Sequence, residues 1–430
     1  MAELNGNLLV AQSGGPTCAI NASIVGVIQE AGRHDCIEEI YGGLNGVYGI
    51  LREDIIDIND EKAKTIDMLK YSPAAALGTC RYKIDFKKKP EKAAKDMDRL
   101  FQIFEAHNIR YFFYAGGNDS QDTSHKIHLE AIKRGFELHV IGIPKTIDND
   151  LPHTDYCPGY GSVVKYNATT VMEVGIDVGC MATDDGSCCI IEVMGRSAGW
   201  IAAGTVIAKR KPEDPPHIIL LPEIVFEEEK FLAKVKEVVS QYKYCIVVAG
   251  EGIKNASGNE IGADDKLVDA FGHKLLSGAA DKLAQIVQNN LGTKTRTVKL
   301  GYAQRAAGHF ASLTDIKNAV MVGGAAVKAA VEGKSGFMVK IIRNVITDDN
   351  GKQRIEWGTD LQPLEDIANA ERLVPRDWLS EDGFMPNEKM VEYARPLVEG
   401  ELPLPIKDGL PCYYRLEKSL IEKKLPPMEA

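Results

Sequence analysis

Short apolar runs recur along the chain, and each ends in a glycine-rich or charged loop that a helical stretch usually follows. Runs that are apolar at successive positions are typical of strands covered on both faces in a parallel sheet. Amphipathic stretches at 19–33, 198–209, 227–242 and 315–331 supply the covering helices. The runs predicted as strands are 8–10, 111–114, 139–141, 190–193, 218–221 and 245–248. This alternation predicts doubly wound α/β layers.

The length and charge of the chain narrow the class of protein. A chain of 430 residues is long enough for two domains with separate cores. Its formal net charge of -10 disfavours a nucleic-acid partner. We find no membrane span or export signal, and the nine cysteines contain no CxxC pair. We therefore expect a cytoplasmic protein with reduced thiols and no membrane contact.

Ligands of doubly wound sheets bind at the carboxyl ends of the strands, so the loops after the predicted strands are candidate site segments. These loops are 12–17, 116–120, 144–150, 194–197 and 251–252. All are rich in glycine, carboxylates or cations, although the strands before them are apolar. The coincidence indicates a small phosphorylated ligand at this edge of the sheets.

Two of the loops combine a glycine pair with the start of a predicted helix. Gly14 and Gly15 allow close approach of a ligand to the backbone, and amides at a helix N-terminus attract an anion. The second glycine pair precedes Asn118 and Asp119. A tight turn or a helix cap explains either loop alone, but the two together favour phosphate binding.

The loop at 144–150 is the most specific segment, since it holds Lys145, Asp148 and Asp150. Phosphoryl transfer to an alcohol needs a carboxylate that accepts the hydroxyl proton and cations that balance the phosphate charge. Asp148 is our candidate base, and Lys145 and Asp150 are candidates for the donor phosphate and a metal. The alternative is a turn that only reverses the chain.

Arg296, Tyr302 and Arg305 surround a strand-like stretch at 297–300. Strand periodicity would place alternate positions from 296 to 302 on one face. Two guanidiniums beside a phenol suit a sugar phosphate, whereas the alternative is a set of exposed, solvated side chains.

Taken in order, these segments resemble the phosphofructokinase family from about residue 8 to residue 330. The matching segments are 13–15, 78–81, 116–120, 144–150, 194–196, 251–252 and 300–305. The resemblance implies two Rossmann-like three-layer α/β domains with the active site in the cleft between them. The implied divisions are a donor-binding domain of residues 1–165 with 306–395, a sugar-phosphate-binding domain of residues 166–305, and a C-terminal extension of residues 396–430.

The resemblance also implies roles for individual residues. Asp148 would accept the proton of the sugar 1-hydroxyl, and Glu251 would accept hydrogen bonds from sugar hydroxyls. The transferring group and the sugar would be held by Thr146, Ile147, Met194, Gly195 and Arg196. The 6-phosphate of the sugar would be bound by Arg296, Tyr302 and Arg305. The donor would face Gly14, Gly15, Arg81, Asn118, Asp119 and Lys145, and Mg²⁺ would be held by Asn118, Asp119 and Asp150.

Two positions bear on the identity of the donor. ATP-dependent members of the family carry glycine where this chain has Asp119, and a carboxylate there would fill and repel the place of the nucleotide α-phosphate. Lys145 also replaces a glycine and would neutralise pyrophosphate charge in the transition state. Together with Tyr302, these residues resemble the pyrophosphate-dependent branch.

The expected activity is reversible phosphoryl transfer from pyrophosphate to the 1-hydroxyl of fructose 6-phosphate by a homo-oligomer. The chain departs from the family pattern at three places, which limits how far the family's residue roles apply to it. Asn118 replaces an aspartate, Ser187 replaces an arginine, and Ala306-Ala307 replaces a glycine pair. The alternatives are an ATP-dependent phosphofructokinase, an enzyme with broader sugar specificity, and a catalytically inactive sugar-phosphate sensor, which Asn118 alone favours.

Overall fold

The computed structural model describes residues 4–268, 274–276, 278–348, 350–351 and 353–428. The strands, in chain order, are β1 (Gly6–Gln12), β2 (Ile37–Gly43), β3 (Ile55–Asp57), β4 (Ile109–Gly116), β5 (His139–Pro144), β6 (Ser187–Val193), β7 (Ile218–Leu220), β8 (Tyr244–Gly250), β9 (Ala263–Val268), β10 (Lys274–Leu276), β11 (Lys294–Lys299), β12 (Phe337–Thr347), β13 (Gln353–Pro363), β14 (Ile406–Lys407) and β15 (Leu410–Pro411). The helices are α1 (Ile20–Ala31), α2 (Gly46–Ile50), α3 (Ala63–Leu69), α4 (Pro90–Ala106), α5 (Asn118–Arg134), α6 (Tyr160–Cys180), α7 (Trp200–Gly204), α8 (Glu228–Tyr242), α9 (Ala279–Leu291), α10 (Ala303–Ala306), α11 (Leu313–Val331), α12 (Leu364–Ile367) and α13 (Glu388–Ala394).

Two sheets organise these elements. The larger sheet has the order β13-β12-β5-β4-β1-β2-β3, and its central strands are parallel while the strand at each edge is antiparallel. The smaller sheet has the order β11-β6-β8-β7 and is parallel throughout. Parallel sheets flanked by helices confirm the predicted α/β class.

Alternate residues of the buried strands pack into different layers, as a side-chain period of two requires. In β1, Leu8 and Val10 belong to a core cluster that also contains Ile191 of β6 and Val248 of β8. Leu9 points to the opposite face and packs in a second cluster with residues of α4. One hydrophobic core therefore extends from the larger sheet to the smaller one.

Most predicted elements are present, with two differences. The stretch 198–209, predicted as one helix, is the short helix α7 followed by a 3₁₀ turn at Thr205–Ala208. The predicted strands do not include β13, which pairs with β12 along its whole length. β13 is an edge strand in which no residue is fully buried, so it lacks the continuous apolar run that marked the buried strands.

The two sheets draw on different parts of the chain. The larger one uses segments between 6 and 144 and between 337 and 363, and the smaller one uses segments between 187 and 299. The domain boundaries drawn from the sequence resemblance stay predictions.

Two buried carboxylates anchor the C-terminal tail to the beginning of the chain. Glu53 accepts hydrogen bonds from the backbone N–H groups of Lys424 and Leu425, at 2.9 and 3.2 Å. Glu61 accepts from those of Glu417 and Lys418, at 3.0 and 2.8 Å. Between these two anchors, the Ile421 N–H donates to the Ile55 carbonyl and the Asp57 N–H donates to the Ser419 carbonyl, so the tail is held through its backbone at several points.

Among the helices of the described residues, none combines the length and the apolar character that crossing a bilayer requires. All nine cysteines lie in the described part of the chain and are free thiols there.

Candidate active site

A cavity of about 710 Å³ opens where the loops after β1, β4, β5, β6 and β8 converge. Parallel strands place their carboxyl ends at one edge of a sheet, which is why these distant loops meet. The sequence-predicted residues that line the cavity are Gly14, Gly15, Arg81, Asn118, Asp119, Lys145, Thr146, Ile147, Asp148, Asp150, Met194, Arg196, Glu251 and Arg305.

Three predicted residues of the described chain, Gly195, Arg296 and Tyr302, do not line this cavity. Arg296 is exposed on β11, and Tyr302 is 70% exposed with its ring 4.3 Å from the guanidinium carbon of Arg305. The predicted shared strand face is wrong, because β11 ends at Lys299 and Gly301 turns the chain with a φ of 48°. Tyr302 therefore lies at the start of α10 rather than on the strand.

The glycine pair after β1 admits two cations close to the backbone. Gly14 has a φ of 75°, which favours glycine, and a Cβ atom on it would lie 3.1 Å from Lys145 Nζ. A Cβ atom on Gly15 would lie 3.0 Å from Arg305 Nη1. Lys145 Nζ donates a hydrogen bond to the carbonyl oxygen of Gly15 at 2.8 Å. This end of the cavity therefore presents concentrated positive charge. The loop does not lead directly into a helix as predicted, because α1 begins only at Ile20.

Lys145 is only 2% exposed. Its burial lowers the pKa of the ammonium group to about 8, although Asp148 and Asp150 act in the opposite direction. With this pKa, the Lys145 ammonium loses its charge only slightly above physiological pH. A bound anion would favour the charged form.

The carboxyl groups opposite Lys145 have raised pKa values. Burial raises the pKa of Asp148, while Lys145 and Arg305 oppose that rise. Burial and then the neighbouring Asp148 raise the pKa of both Asp150 and Glu251 to about 7. A carboxylate with a raised pKa is a stronger proton acceptor, so Asp148 is suited to general-base chemistry.

Asp119 lines the cavity as predicted, but its charge is not free. Its carboxylate Oδ1 lies 2.7 Å from Lys83 Nζ, in an ion pair that the sequence did not reveal. The negative charge that was expected to repel a nucleotide phosphate is therefore partly balanced by the neighbouring Lys83 ammonium.

The side chain of Asn118 is hydrogen-bonded to a segment from the C-terminal part of the chain. Its Oδ1 accepts a hydrogen bond from the backbone N–H of Asn369 at 2.8 Å, and its Nδ2 donates to the carbonyl of Ala370. An aspartate could not make the second bond. The interaction brings Asn369 and Glu371 to the cavity wall, where the sequence analysis did not place them. The replacement of the family's aspartate by Asn118 was the one sequence feature that could have indicated this contact.

Gln304, to which the sequence analysis assigned no role, supports the loop after β6. Gln304 is buried, and its Oε1 accepts hydrogen bonds from the backbone N–H of Met194 at 3.2 Å and from Asn167 Nδ2 at 3.0 Å. Gln304 thereby fixes Met194 relative to α6.

A metal ion at this site would be held by protein side chains together with waters or substrate phosphates. In the described part of the chain, no three His, Cys, Asp or Glu side chains are arranged to hold a metal ion. Mg²⁺ usually keeps several waters and binds one or two carboxylates together with substrate phosphates. Asp150 fits such a site, because its Oδ1 is buried and accepts no hydrogen bond from any described residue.

Comparisons with known proteins place the chain in a family. A sequence model of the family described as Phosphofructokinase matches residues 7–330. The chain is 43% identical over 421 residues to the pyrophosphate--fructose 6-phosphate 1-phosphotransferase of Halomonas elongata, and the match covers 98% of each protein.

Two solved structures are similar over the whole chain, and both are described as pyrophosphate-dependent phosphofructokinases. The one from Marinobacter aquaeolei is 41% identical with a TM-score of 0.87, covering 99% of this chain and 100% of that one. The one from Nitrosospira multiformis is 40% identical with a TM-score of 0.89 and the same coverage. With well over half of its length matched by the family model and relatives similar from end to end, the chain belongs to the phosphofructokinase family.

Proposed function

We propose that this protein transfers a phosphoryl group reversibly from inorganic pyrophosphate to the 1-hydroxyl of fructose 6-phosphate, giving fructose 1,6-bisphosphate and phosphate. The observation that carries the proposal is the buried ammonium of Lys145, 2.8 Å from the Gly15 carbonyl and on the same loop as Asp148. The relative from Halomonas elongata and the two solved structures are named for the use of pyrophosphate.

Pyrophosphate would lie between the Gly14–Gly15 loop, Arg81 and Lys145. The amides of this loop and the two cations balance a compact, highly charged donor. Positive charge that is already in place costs no reorganisation when charge develops on the transferring group.

Fructose 6-phosphate would occupy the other side of the cavity, towards Met194, Arg196 and Glu251. Asp148 takes the proton of the 1-hydroxyl as that oxygen attacks the near phosphorus atom in line with the leaving phosphate. Glu251 accepts hydrogen bonds from sugar hydroxyls, and Arg305 binds the 6-phosphate. Roles for Gly195, Arg296 and Tyr302 stay predictions, as does assembly into a homo-oligomer.

The family generally uses Mg²⁺, which would neutralise phosphate charge when bound. Asp150 is the residue best suited to hold it, and Asp119 remains a candidate through the oxygen that does not face Lys83. Asn118 is a poorer candidate, because both atoms of its amide are used by residues 369 and 370.

Initial rates on the purified protein test the donor directly. Fructose 6-phosphate and Mg²⁺ are kept constant, and equal concentrations of pyrophosphate or ATP are supplied. We expect pyrophosphate to be preferred by at least an order of magnitude in kcat/KM. Preference for ATP would overturn the proposal, and binding of fructose 6-phosphate without transfer from either donor would identify a sensor.

A further inference from the structure

An ion pair joins a loop to the start of a helix at the mouth of the cavity. Lys83 follows Arg81 in the loop before α4, and Asp119 lies in the first turn of α5. Their charged atoms are 2.7 Å apart, and the side chains are 31% and 58% exposed. Arg81 and Asp119 both line the cavity, so the pair lies at its edge rather than on a remote surface.

The other carboxylates that face Lys83 have partners of their own. Asp122 is 2.6 Å from Lys126 Nζ and also accepts from Asn369 Nδ2 at 3.3 Å. Asp85 accepts hydrogen bonds from the backbone N–H groups of Lys87 and Lys88, at 2.9 and 3.0 Å. Lys83 is therefore directed at Asp119.

An unpaired carboxylate at this position would repel every phosphate donor, the small one included. Pyrophosphate is itself an anion, and like charges at close range weaken its binding as they weaken that of a nucleotide. The sequence argument that Asp119 excludes a nucleotide by repulsion thus leaves a cost for pyrophosphate. The neighbouring ammonium removes that cost without moving the carboxylate away from the cavity.

Building on the proposed function, we propose that Lys83 is a specificity-determining residue that neutralises Asp119 towards pyrophosphate and holds its carboxylate at the cavity wall. Asp119 then excludes a longer phosphate chain by its position, while the pair presents little net charge to the compact donor. Lys83 acts through Asp119 and is a positioning residue, because its side chain does not belong to the described cavity lining.

The proposal predicts how two substitutions combine. K83M leaves Asp119 unpaired, so KM for pyrophosphate rises roughly five-fold while kcat changes little. K83M/D119N removes the uncompensated charge, so KM returns towards the wild-type value although Lys83 is still absent. The penalty of K83M also shrinks as ionic strength rises, since salt screens exposed charges.

The test measures KM and kcat for pyrophosphate in the wild type, K83M, D119N and K83M/D119N at low and high salt, with KM for fructose 6-phosphate as an internal reference. K87M, which removes an exposed lysine of the same loop, is the matched control. Exposed ion pairs contribute little to stability, so the variants should fold, and thermal unfolding checks this.

Rescue by the double substitution supports the proposal. An unchanged KM in K83M identifies a surface pair without effect and overturns it. Equal losses in K83M and in the double variant show that Lys83 binds the donor directly, which also overturns it. If the wild type does not use pyrophosphate, the proposed function itself fails, and that result is distinguished because it is seen before any substitution.

Discussion

Burial sets the charge of the groups at the bottom of the cavity. It lowers the pKa of Lys145 and raises those of Asp148 and Asp150, so all three are driven towards their neutral forms. The opposite charges of Lys145 and of the two carboxylates act against this effect of burial. The chemistry of the site therefore depends on a small number of mutually compensating side chains.

We expect D148N to reduce kcat by about three orders of magnitude, because an amide cannot take the proton of the sugar hydroxyl. Binding of fructose 6-phosphate should be retained, since other residues hold the sugar. Initial rates with pyrophosphate, combined with calorimetric binding of the sugar phosphate, check this. D360N, which removes an exposed carboxylate paired with Lys340 on β12, is the control. Turnover close to wild type in D148N would contradict the role of base.

The alkaline limb of the pH profile should report Lys145. Its ammonium has a pKa lowered to about 8 by burial, so kcat/KM for pyrophosphate should fall as pH rises through that value. A bound anion favours the charged form, so the corresponding limb in kcat should lie at higher pH. Rates from pH 6 to about 10 in constant ionic strength give both profiles. A kcat/KM that stays flat over this range would count against a transition-state role for Lys145.

At the residue scale, local patterns predicted the side chains and missed their partners. Lys145, Asp148 and Asp150 were identified because they follow a strand that is too apolar to explain them. Lys83 lies 36 positions from Asp119, and Ala370 lies 252 positions from Asn118. Pairings across such separations depend on how the loops converge, which residue type and spacing do not encode.

Elements were predictable where both faces of a strand are buried. β1, β4 and β8 are almost fully buried, and their apolar runs stand out in the sequence. β13 alternates without a continuous apolar run because it has one neighbour and a solvent edge. The predicted end of β11 is wrong, since the strand pattern of the sequence continues to residue 302 while the strand ends at Lys299 and Gly301 turns the chain.

The anchoring of the tail makes a prediction at this scale. E53Q replaces a buried carboxylate with an amide that cannot accept from both tail N–H groups as well as face His107, which lies 2.8 Å away. We expect the free energy of unfolding to fall by about 3 kcal/mol, and the amide hydrogens at 417–425 to exchange faster. Urea denaturation and hydrogen exchange measure the two effects, with the exposed E422Q as control.

The same anchor should respond to acid. Burial alone would raise the pKa of Glu53, but hydrogen bonds from His107 and from the backbone of Lys424 and Leu425 bring it below its usual value. Its stabilising contribution is therefore complete above the ordinary carboxyl pKa and is lost as pH falls below it. Tail exchange that stays unchanged in E53Q at neutral pH would refute the anchor.

For the whole molecule, Arg372 links the two sheets. Its guanidinium donates to the carbonyls of Asn149, Thr154 and Asp155 and lies 4.5 Å from the ring of Trp200 at the start of α7. The Trp200 indole N–H in turn donates to the Arg372 carbonyl at 2.8 Å. Loops of the larger sheet and the helix that follows β6 are thus held by one residue.

R372M should therefore destabilise the protein by about 3 kcal/mol or more, because it leaves buried carbonyls without a donor. Since one core cluster spans both sheets, we expect the wild type to unfold in one calorimetric transition and R372M to unfold earlier and less cooperatively. R376M is the control, because that arginine is exposed and its hydrogen bonds within the described part of the chain go to the nearby carbonyls of Ser380 and Glu381. An unfolding profile of R372M that matches this control would contradict the linking role.

The α/β class and the position of the cavity followed from the sequence, because the carboxyl ends of parallel strands are the general place for ligands. That residues 369–374 lie beside the cavity and supply part of its wall could not be predicted from the sequence. These residues are anchored by Asn118, by the carbonyl of Asp150 at 2.7 Å from the Arg372 N–H, and by Glu223 Oε1 at 3.0 Å from the Val374 N–H. None of these partners is near in sequence.

The path of this segment has a consequence for protein engineering. The portion that matches the family model ends at residue 330, yet Asn369 and Glu371 form part of the cavity wall. A chimera that takes residues 1–330 from a relative would combine that relative's residue at position 118 with the native segment 369–371. The hydrogen bonds between them would then be made by residues from two different proteins. Recombination that keeps this part of the cavity wall intact must take Asn118 and residues 369–371 from the same parent.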